Sequence, residues 1–260
     1  MEPVNAEAAL GSLLSAPHEG NVWTGFDVRG WAASIWILHA MYETDELPSS
    51  MTYDEERRIE RDAGVVDEIP PVLEGVLEDA VATGGGLGPS SAPGGGWRRL
   101  RWLDLAERLG SNPLGRLPSY KSFPFTSWPV NIRPPSEGSL DREQLERLCE
   151  HLGAASGADS PCYVFFARLP SGRLNVHDEE PLVYQGSIAE ILPLYDEGEL
   201  GGGPTNIWSS DRAWFVYTDW DLWGTKVSGS PELIRQLRED SELEAVELAL
   251  RAPRSEDRRS

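Results

Sequence analysis

Hydrophobic positions in residues 27–44, DVRGWAASIWILHAMYET, recur at the spacing of a helix. One helical face collects four large apolar side chains, at intervals of 4, 3 and 4 residues: Trp31, Ile35, Leu38 and Tyr42. Asp27 stands where an N-cap carboxylate would accept free backbone N–H groups. The pattern therefore predicts a buried helix, in which His39 is expected to be a hydrogen-bonded core residue.

Four further segments carry helix signals: 52–63, 71–82, 97–110 and 140–153. Thr52 and Glu55 form a capping-box pattern in the first, and Pro71 opens the second. Gly110 is a natural stop for the third, and Ser139 is expected to cap the fourth.

From residue 161 onward the period of the hydrophobic positions changes to two. PCYVFFARL, PLVYQGS, AWFVYTD and GTKVSG each predict a strand, and Ser230 with Pro231 then opens a helix. The segment LEAVELAL either ends that helix or adds a closing strand. Helices first and strands later predict an α+β fold, with a helical N-terminal part packed on an antiparallel sheet formed by the C-terminal half.

Glycine, proline and serine fill residues 84–96, GGGLGPSSAPGGG, which predicts a flexible linker. The predicted organisation is a helical N-terminal region over 20–83, the linker, an α+β region over 97–252 and a disordered tail over 253–260. One continuous domain with an inserted loop is the alternative.

The net charge of the chain restricts the classes of molecule that we expect it to bind. The 260 residues include 23 Lys and Arg against 43 Asp and Glu, a formal net charge of −20. Phosphate backbones and anionic membrane surfaces would be repelled, so we expect no direct nucleic-acid binding and no membrane binding. A basic protein partner would be attracted and steered.

The compartment is predicted from what the sequence lacks. The first residues have no basic region of a secretory signal, and no apolar run approaches the ~20 residues of a membrane span. Cys149 and Cys162 are the two cysteines, and both are expected to be reduced and buried. We expect a soluble, cytoplasmic protein.

The densest stretch is residues 211–234, DRAWFVYTDWDLWGTKVSGSPELI. Alternating large apolar side chains predict a central strand covered on both faces, and TDWDLWGT reads as the connection of a hairpin. A catalytic alternative exists, because Asp219, Asp221 and Lys226 could bind Mg²⁺ and orient a water for hydrolysis of a nucleotide or nucleic acid. Two carboxylates are a weak metal signal, and the lysine follows across the turn.

The other catalytic motifs are missing from the sequence: it has no phosphate loop, nucleophile elbow, HExxH or CxxC. We therefore expect no cofactor and no metal, and favour a non-enzymatic protein-binding module, an inhibitor or adaptor for a basic partner. The predicted contact residues are aromatic and acidic side chains at strand ends: Trp208, Asp219, Trp220, Asp221 and Trp223. The metal-dependent hydrolase and a structural subunit of a larger assembly remain alternatives.

Three stretches resemble a set of actinomycete proteins without an assigned activity: the C-terminal pattern from PLVYQGSIAEIL through NIWSSDRAWFVYTDWDLWGTKVSGSPELIRQLRED, GFDVRGWAASIWILHAMYE, and SWPVNIRPPSEGSLDREQLERL. This resemblance carries no catalytic residues across. The D-R-x-W-F-V strand, acidic turn and G-S-capped helix are similar in style to SUKH-type immunity proteins. That similarity implies an α+β domain that neutralises a partner protein, often a toxin, by binding it.

Overall fold

The computed structural model describes residues 1–21, 24–64, 90–166, 182–196 and 203–249. Within them, helices run over Ala6–Leu14 (α1), Tyr53–Asp62 (α2), Trp102–Leu109 (α3), Arg142–Ser156 (α4), Ile191–Asp196 (α5) and Pro231–Glu239 (α6). Strands run over Glu2–Val4 (β1), His18–Asn21 (β2), Gly25–Val28 (β3), Ala33–Leu38 (β4), Met41–Thr44 (β5), Trp97–Leu100 (β6), Ile132–Arg133 (β7), Pro161–Phe166 (β8), Leu182–Ser187 (β9), Asn206–Ser209 (β10), Phe215–Tyr217 (β11), Gly224–Gly229 (β12) and Ala245–Val246 (β13).

The described strands form one large antiparallel sheet and two small ones. The large sheet has eight strands in the order β1-β9-β8-β10-β11-β12-β4-β13. In the small sheets, β2 pairs with β3, and β5 lies between β6 and β7. Both β1 and β4 come from the first part of the chain, and β4 is inserted between β12 and β13.

Layers on both faces cover the large sheet. Helices α4, α5 and α6 pack on one face, where aliphatic side chains such as Val164, Val216 and Leu148 meet. Helix α1 and strand β3 cover the other face, against Phe165 and Phe215. A third cluster, rich in tryptophan, lies beside β5, β6 and α3 and contains Trp102, Trp128 and Trp223. The prediction that 213–219 is a central strand covered on both faces is confirmed, because Val216 and Phe215 enter opposite clusters.

The predicted helix over 27–44 is wrong. These residues form the end of β3 and all of β4 and β5, with Gly30 at a φ of +96° in the connection between β3 and β4. In β4, Ile35 and Ile37 face the helical layer while Leu38 joins the tryptophan-rich cluster. A strand covered on both faces loses the alternation that distinguishes it from a buried helix, so hydrophobic spacing misled the prediction.

The helical N-terminal part of the predicted fold is therefore wrong, and so is a sheet built only by the C-terminal half. The protein is α+β with a large antiparallel sheet, but its helices are scattered along the chain. In 97–110, a strand over Trp97–Leu100 precedes the helix α3, which ends at Gly110 as predicted. Asp141, not Ser139, caps α4, because its Oδ1 accepts the Gln144 N–H at 2.8 Å.

Other local predictions are confirmed. Thr52 and Glu55 form the capping box of α2, and Ser230 and Pro231 begin α6. LEAVELAL supplies the closing strand β13, which pairs with β4. Among the helices that the structure describes, none combines the length and the apolar character that a membrane crossing requires.

Strand pairing crosses residues 84–96, the predicted linker, since β5 pairs with β6 and β4 with β12. Within that segment, the Ser90 N–H donates to the Tyr195 hydroxyl at 3.0 Å, and the Ala92 N–H donates to Glu143 Oε2 at 3.0 Å. The predicted helix over 71–82, residues 84–89 and the tail over 253–260 lie outside the described residues. The domain division stays a prediction.

Candidate functional site

The turn between β11 and β12 is built by its own aspartate. Asp219 Oδ1 accepts the Asp221 N–H at 3.1 Å, and the Asp219 carbonyl accepts the Leu222 N–H at 3.0 Å. Short aspartate side chains favour turns because they bond to backbone two residues on. The predicted hairpin connection over TDWDLWGT is therefore confirmed, with β11 and β12 paired antiparallel on either side.

A loop from a distant part of the chain docks on this turn. The Gly138 N–H donates to the Leu222 carbonyl at 2.9 Å, and Gly138 has a φ of +68°. A Cβ at this position would lie 2.7 Å from the Cα of Trp220, so only glycine allows the approach. The contact places the neighbouring Glu137 beside the hairpin.

Glu137, Asp219, Trp220 and Asp221 make up a surface that we name the acidic hairpin face. Burial, and then the charge of Asp221, raise the pKa of Glu137. Burial and the charge of Asp219 raise the pKa of Asp221. Within the described residues, none of the three carboxylates forms an ion pair with a lysine or arginine, whereas Lys226 is paired elsewhere. The repulsion of Asp221 with Glu137 and with Asp219 is relieved by no lysine or arginine among the described residues.

The three residues of the predicted hydrolase site have separate partners. Lys226 Nζ lies 2.9 Å from both carboxylate oxygens of Asp27, so its charge is neutralised there. Asp27 belongs to β3 and is not the helix N-cap that its sequence position predicted. The Tyr217 hydroxyl donates to Asp219 Oδ2 at 3.0 Å, and Asp221 is exposed. The ranges that the structure describes hold no group of three or more His, Cys, Asp or Glu side chains that could bind a metal ion.

The predicted tryptophan contacts differ in accessibility. Trp208 is 2% exposed and stacks on Tyr163, with ring centroids 5.2 Å apart. Trp223 is 0% exposed and meets Trp102 and Trp128 edge-on. Only Trp220 of the three predicted residues is partly exposed. Burial thus makes Trp208 and Trp223 core residues of the free protein and leaves Trp220 on the acidic hairpin face.

The indole of Trp223 also affects the pKa of a carboxyl on the acidic hairpin face. Its Nε1 is buried and has no hydrogen bond of normal geometry among the described residues. It nevertheless lies near enough to Glu137 to offset part of the rise in the pKa of that carboxyl. The offset is the smallest of the three effects, so burial and Asp221 determine the direction.

A buried series of hydrogen bonds connects the loop that carries Glu137 with β12. His39 Nδ1 lies 2.9 Å from the Ser136 carbonyl oxygen, and Nε2 lies 2.9 Å from the Thr225 hydroxyl. Burial lowers the pKa of His39 to about 4, so the ring is neutral at pH 7. Its Nδ1–H therefore donates to Ser136 and Nε2 accepts from Thr225, whose oxygen in turn accepts from Thr218 at 2.6 Å. The expected hydrogen-bonded core role of His39 is confirmed, and this series of hydrogen bonds joins the docked loop to β12.

Sequence reasoning identified Asp219, Trp220 and Asp221 but missed Glu137. Residues 134–139, PPSEGS, carry no periodic pattern that would mark a functional position. The sequence does contain one signal, Gly138. The close backbone contact that requires a glycine there can be seen only once the position of the hairpin is known. His177, in the acidic segment HDEE, lies outside the described residues.

Comparison with protein-family models, curated proteins and solved structures finds no match to the chain.

Proposed function

We propose that the protein is a protein-binding module whose acidic hairpin face takes a basic segment of a partner protein. The observation that carries this proposal is the set of three carboxylates, Glu137, Asp219 and Asp221, gathered without a paired lysine or arginine in the part of the chain that the structure describes. A lysine or arginine of the partner would supply an opposite charge and offset the repulsion that, after burial, raises the pKa of Glu137 and Asp221.

Trp220 contributes the second element of such an interface. A partly exposed indole beside carboxylates offers apolar area and a π face to the stem and head group of an arginine or lysine. The net charge of −20 supports the same class of partner, because it accelerates encounter with a basic surface. An inhibitor or adaptor acting in the cytoplasm is the setting we propose, in line with the resemblance to immunity proteins.

Proton linkage follows from the same geometry. A bound cation would lower the raised pKa values of Glu137 and Asp221, so binding would release protons. Affinity for the partner should therefore increase as the pH rises through the pKa values of the free carboxyls and weaken as the pH falls.

The test is affinity purification of the tagged full-length chain from its native host, followed by affinity measurements with the purified partner. We compare the wild type with the double variant Glu137→Gln/Asp221→Asn. The matched control is Asp104→Asn/Glu107→Gln on α3, which removes the same two charges from exposed positions. Because both variants change long-range steering equally, only the face variant should lose about tenfold in affinity, or about 1.4 kcal/mol.

Three results would overturn the proposal: a chain that elutes alone, a partner without a basic surface, or equal weakening by the two double variants. Circular dichroism of both variants shows whether the fold is intact, so that lost binding is not mistaken for unfolding.

A further inference from the structure

A pocket of about 480 Å³ lies at the opposite end of β11 and β12 from the acidic hairpin face. Its walls come from the end of α1, the β3–β4 connection, the turn before β11 and the start of α6. Apolar side chains form most of the lining, among them Leu13, Val28, Trp31 and Ala213, and the rim carries Arg29 and Arg212. The lining combines apolar side chains with a few polar groups, a composition that suits a small organic ligand.

The two rim arginines are not equivalent. Arg29 forms an ion pair with Glu19, which neutralises it. Arg212 donates to the Ser15 hydroxyl at 3.4 Å and has no carboxylate partner within the described residues. The neighbouring Asp211 directs Oδ1 to the Ala213 N–H at 3.0 Å. Arg212 therefore leaves an uncompensated guanidinium at the rim, with the geometry that binds carboxylates and phosphates.

Backbone bonds fix the position of Arg212. Its N–H donates to the Ser209 carbonyl at 3.0 Å, and the Ser209 hydroxyl accepts the next two backbone N–H groups, at 2.7 and 3.2 Å. The residue has a φ of +59°, the one positive value outside glycine among the residues described. The turn is thus held by its neighbours and not by the arginine side chain, whose long 3.4 Å bond to Ser15 a ligand could replace.

The lining of the pocket offers an aromatic surface. Trp31 stacks on Phe215 with centroids 6.0 Å apart and planes 16° from parallel, so its ring is held in place. Trp31 Nε1 is buried and has no hydrogen-bond acceptor among the described residues, so a ligand would contact the ring and not this atom. At the far wall, Ser230 caps α6, whose N-terminal dipole also favours an anion.

We propose that this pocket binds a small organic anion, a carboxylate or phosphate carried on an aromatic or aliphatic body. Arg212 pairs with the anionic head, and the body lies on Trp31 and the apolar walls. The site is independent of the acidic hairpin face, since the two lie at opposite ends of the same strands and have opposite charge.

The test uses 3-phenylpropanoate and phenyl phosphate at millimolar concentrations, with 3-phenylpropanamide as the neutral control. The readout is the indole N–H resonance of Trp31 in NMR spectra of the full chain, assigned by its loss in Trp31→Phe. We expect a saturable shift of this resonance with at least one anion and none with the amide. The anion that binds more tightly identifies the head group.

The variant is Arg212→Gln, and its matched control is Arg116→Gln, an exposed arginine that donates to one neutral oxygen, the Lys121 carbonyl. We expect about tenfold weaker binding in the first and no change in the second. Arg212→Gly is a further variant, because glycine adopts a positive φ without strain. It should lose binding while its thermal midpoint holds or rises, which separates lost contact from lost fold.

An unshifted Trp31 resonance would overturn the inference. So would equal binding of the amide, equal binding by Arg212→Gln, or binding of inorganic phosphate as tight as that of phenyl phosphate. None of these outcomes bears on the acidic hairpin face, whose test depends on Glu137 and Asp221.

Discussion

The two ends of the β11–β12 hairpin carry opposite unpaired charges. Among the residues that the structure describes, Glu137, Asp219 and Asp221 at the turn end have no paired cation, and Arg212 at the other end has no paired carboxylate. Between the two ends, Lys226 Nζ on β12 lies 2.9 Å from Asp27 Oδ1 on β3, so the charge of this lysine is compensated within the protein. The comparison teaches that net charge alone does not locate a binding surface. The informative charges are those that the fold fixes in place and leaves without a partner.

The ends also differ in how they are built. The acidic end depends on a loop brought from residues 134–139 and on the buried hydrogen bonds of His39. At the other end, the pocket walls also come from distant segments, but the turn that carries Arg212 is local, because Ser209 bonds to the backbone three to five residues later. A disturbance of long-range packing should therefore displace Glu137 before it displaces Arg212.

The largest expected effect separates core tryptophan from surface tryptophan at the acidic end. Trp223→Ala should destabilise the protein by about 4 kcal/mol, because a fully buried indole is removed from an aromatic cluster. Trp220→Ala, its matched control, should cost clearly less stability and instead weaken partner binding. Urea unfolding of both variants measures the difference. Equal destabilisation would place Trp220 in the core and remove it from the acidic hairpin face.

Acidification should lower the stability of the protein, starting at the acidic end, because it protonates the buried His39. The pKa of His39 is about 4 in the folded protein and about 6.5 when unfolded, so the unfolded state binds the proton more tightly. Stability contributed by the neutral ring is fully present above pH 6.5 and is lost as the pH falls towards 4, by up to about 3 kcal/mol. Urea midpoints between pH 7 and pH 4 measure the loss.

A His39→Gln variant is the control for this pH dependence. It should be less stable at pH 7 but lose less stability between pH 6.5 and pH 4. Hydrogen exchange in the wild type should rise over 134–139 before it rises over 209–213. An unchanged pH slope in the variant would show that other groups govern acid unfolding.

The smallest of the three effects compares a glycine from each end. Gly138→Ala should cost about 2 kcal/mol and displace the docked loop, because its Cβ would lie 2.7 Å from the Trp220 backbone at a φ of +68°. Gly30→Ala, in the lining of the Arg212 pocket, has a φ of +96° but open space around the new methyl group, and should cost about 1 kcal/mol. Thermal unfolding gives both values, and a reversed order would contradict the docking contact.

How far the sequence predicted this structure depended on whether the signal was local. The strand before Asp219, the turn, and the Ser230 and Pro231 helix start each rest on neighbouring residues, and all were predicted correctly. Residues 27–44 failed because β4 is buried on both faces, where helical and strand spacing cannot be distinguished. The strand within 213–219 was predicted correctly although Phe215–Tyr217 is also covered on both faces, because the turn residues Asp219, Asp221 and Gly224 follow it directly.

Whether the residues of the candidate site could be predicted also depended on whether the signal was local. Asp219 could be predicted because its side chain builds the turn, and Asp221 because it stands in the same turn. Trp208 and Trp223 could not be assigned to surface or core, since exposure depends on which layers cover the strand ends. Glu137 was invisible because its relation to Asp221 is created by the Gly138 contact, across some eighty positions of sequence.

The insertion of β4 between β12 and β13 has a consequence for synthesis on the ribosome. Ile35 and Ile37 pair with residues 225–227 and 245 in the folded sheet, so the sheet cannot close until those residues have emerged from the ribosome. At about 5 to 20 residues per second, the wait is on the order of ten to forty seconds. During that interval the apolar segment ASIWIL lacks its strand partners, so we expect it to be open to chaperones until the last strands are made.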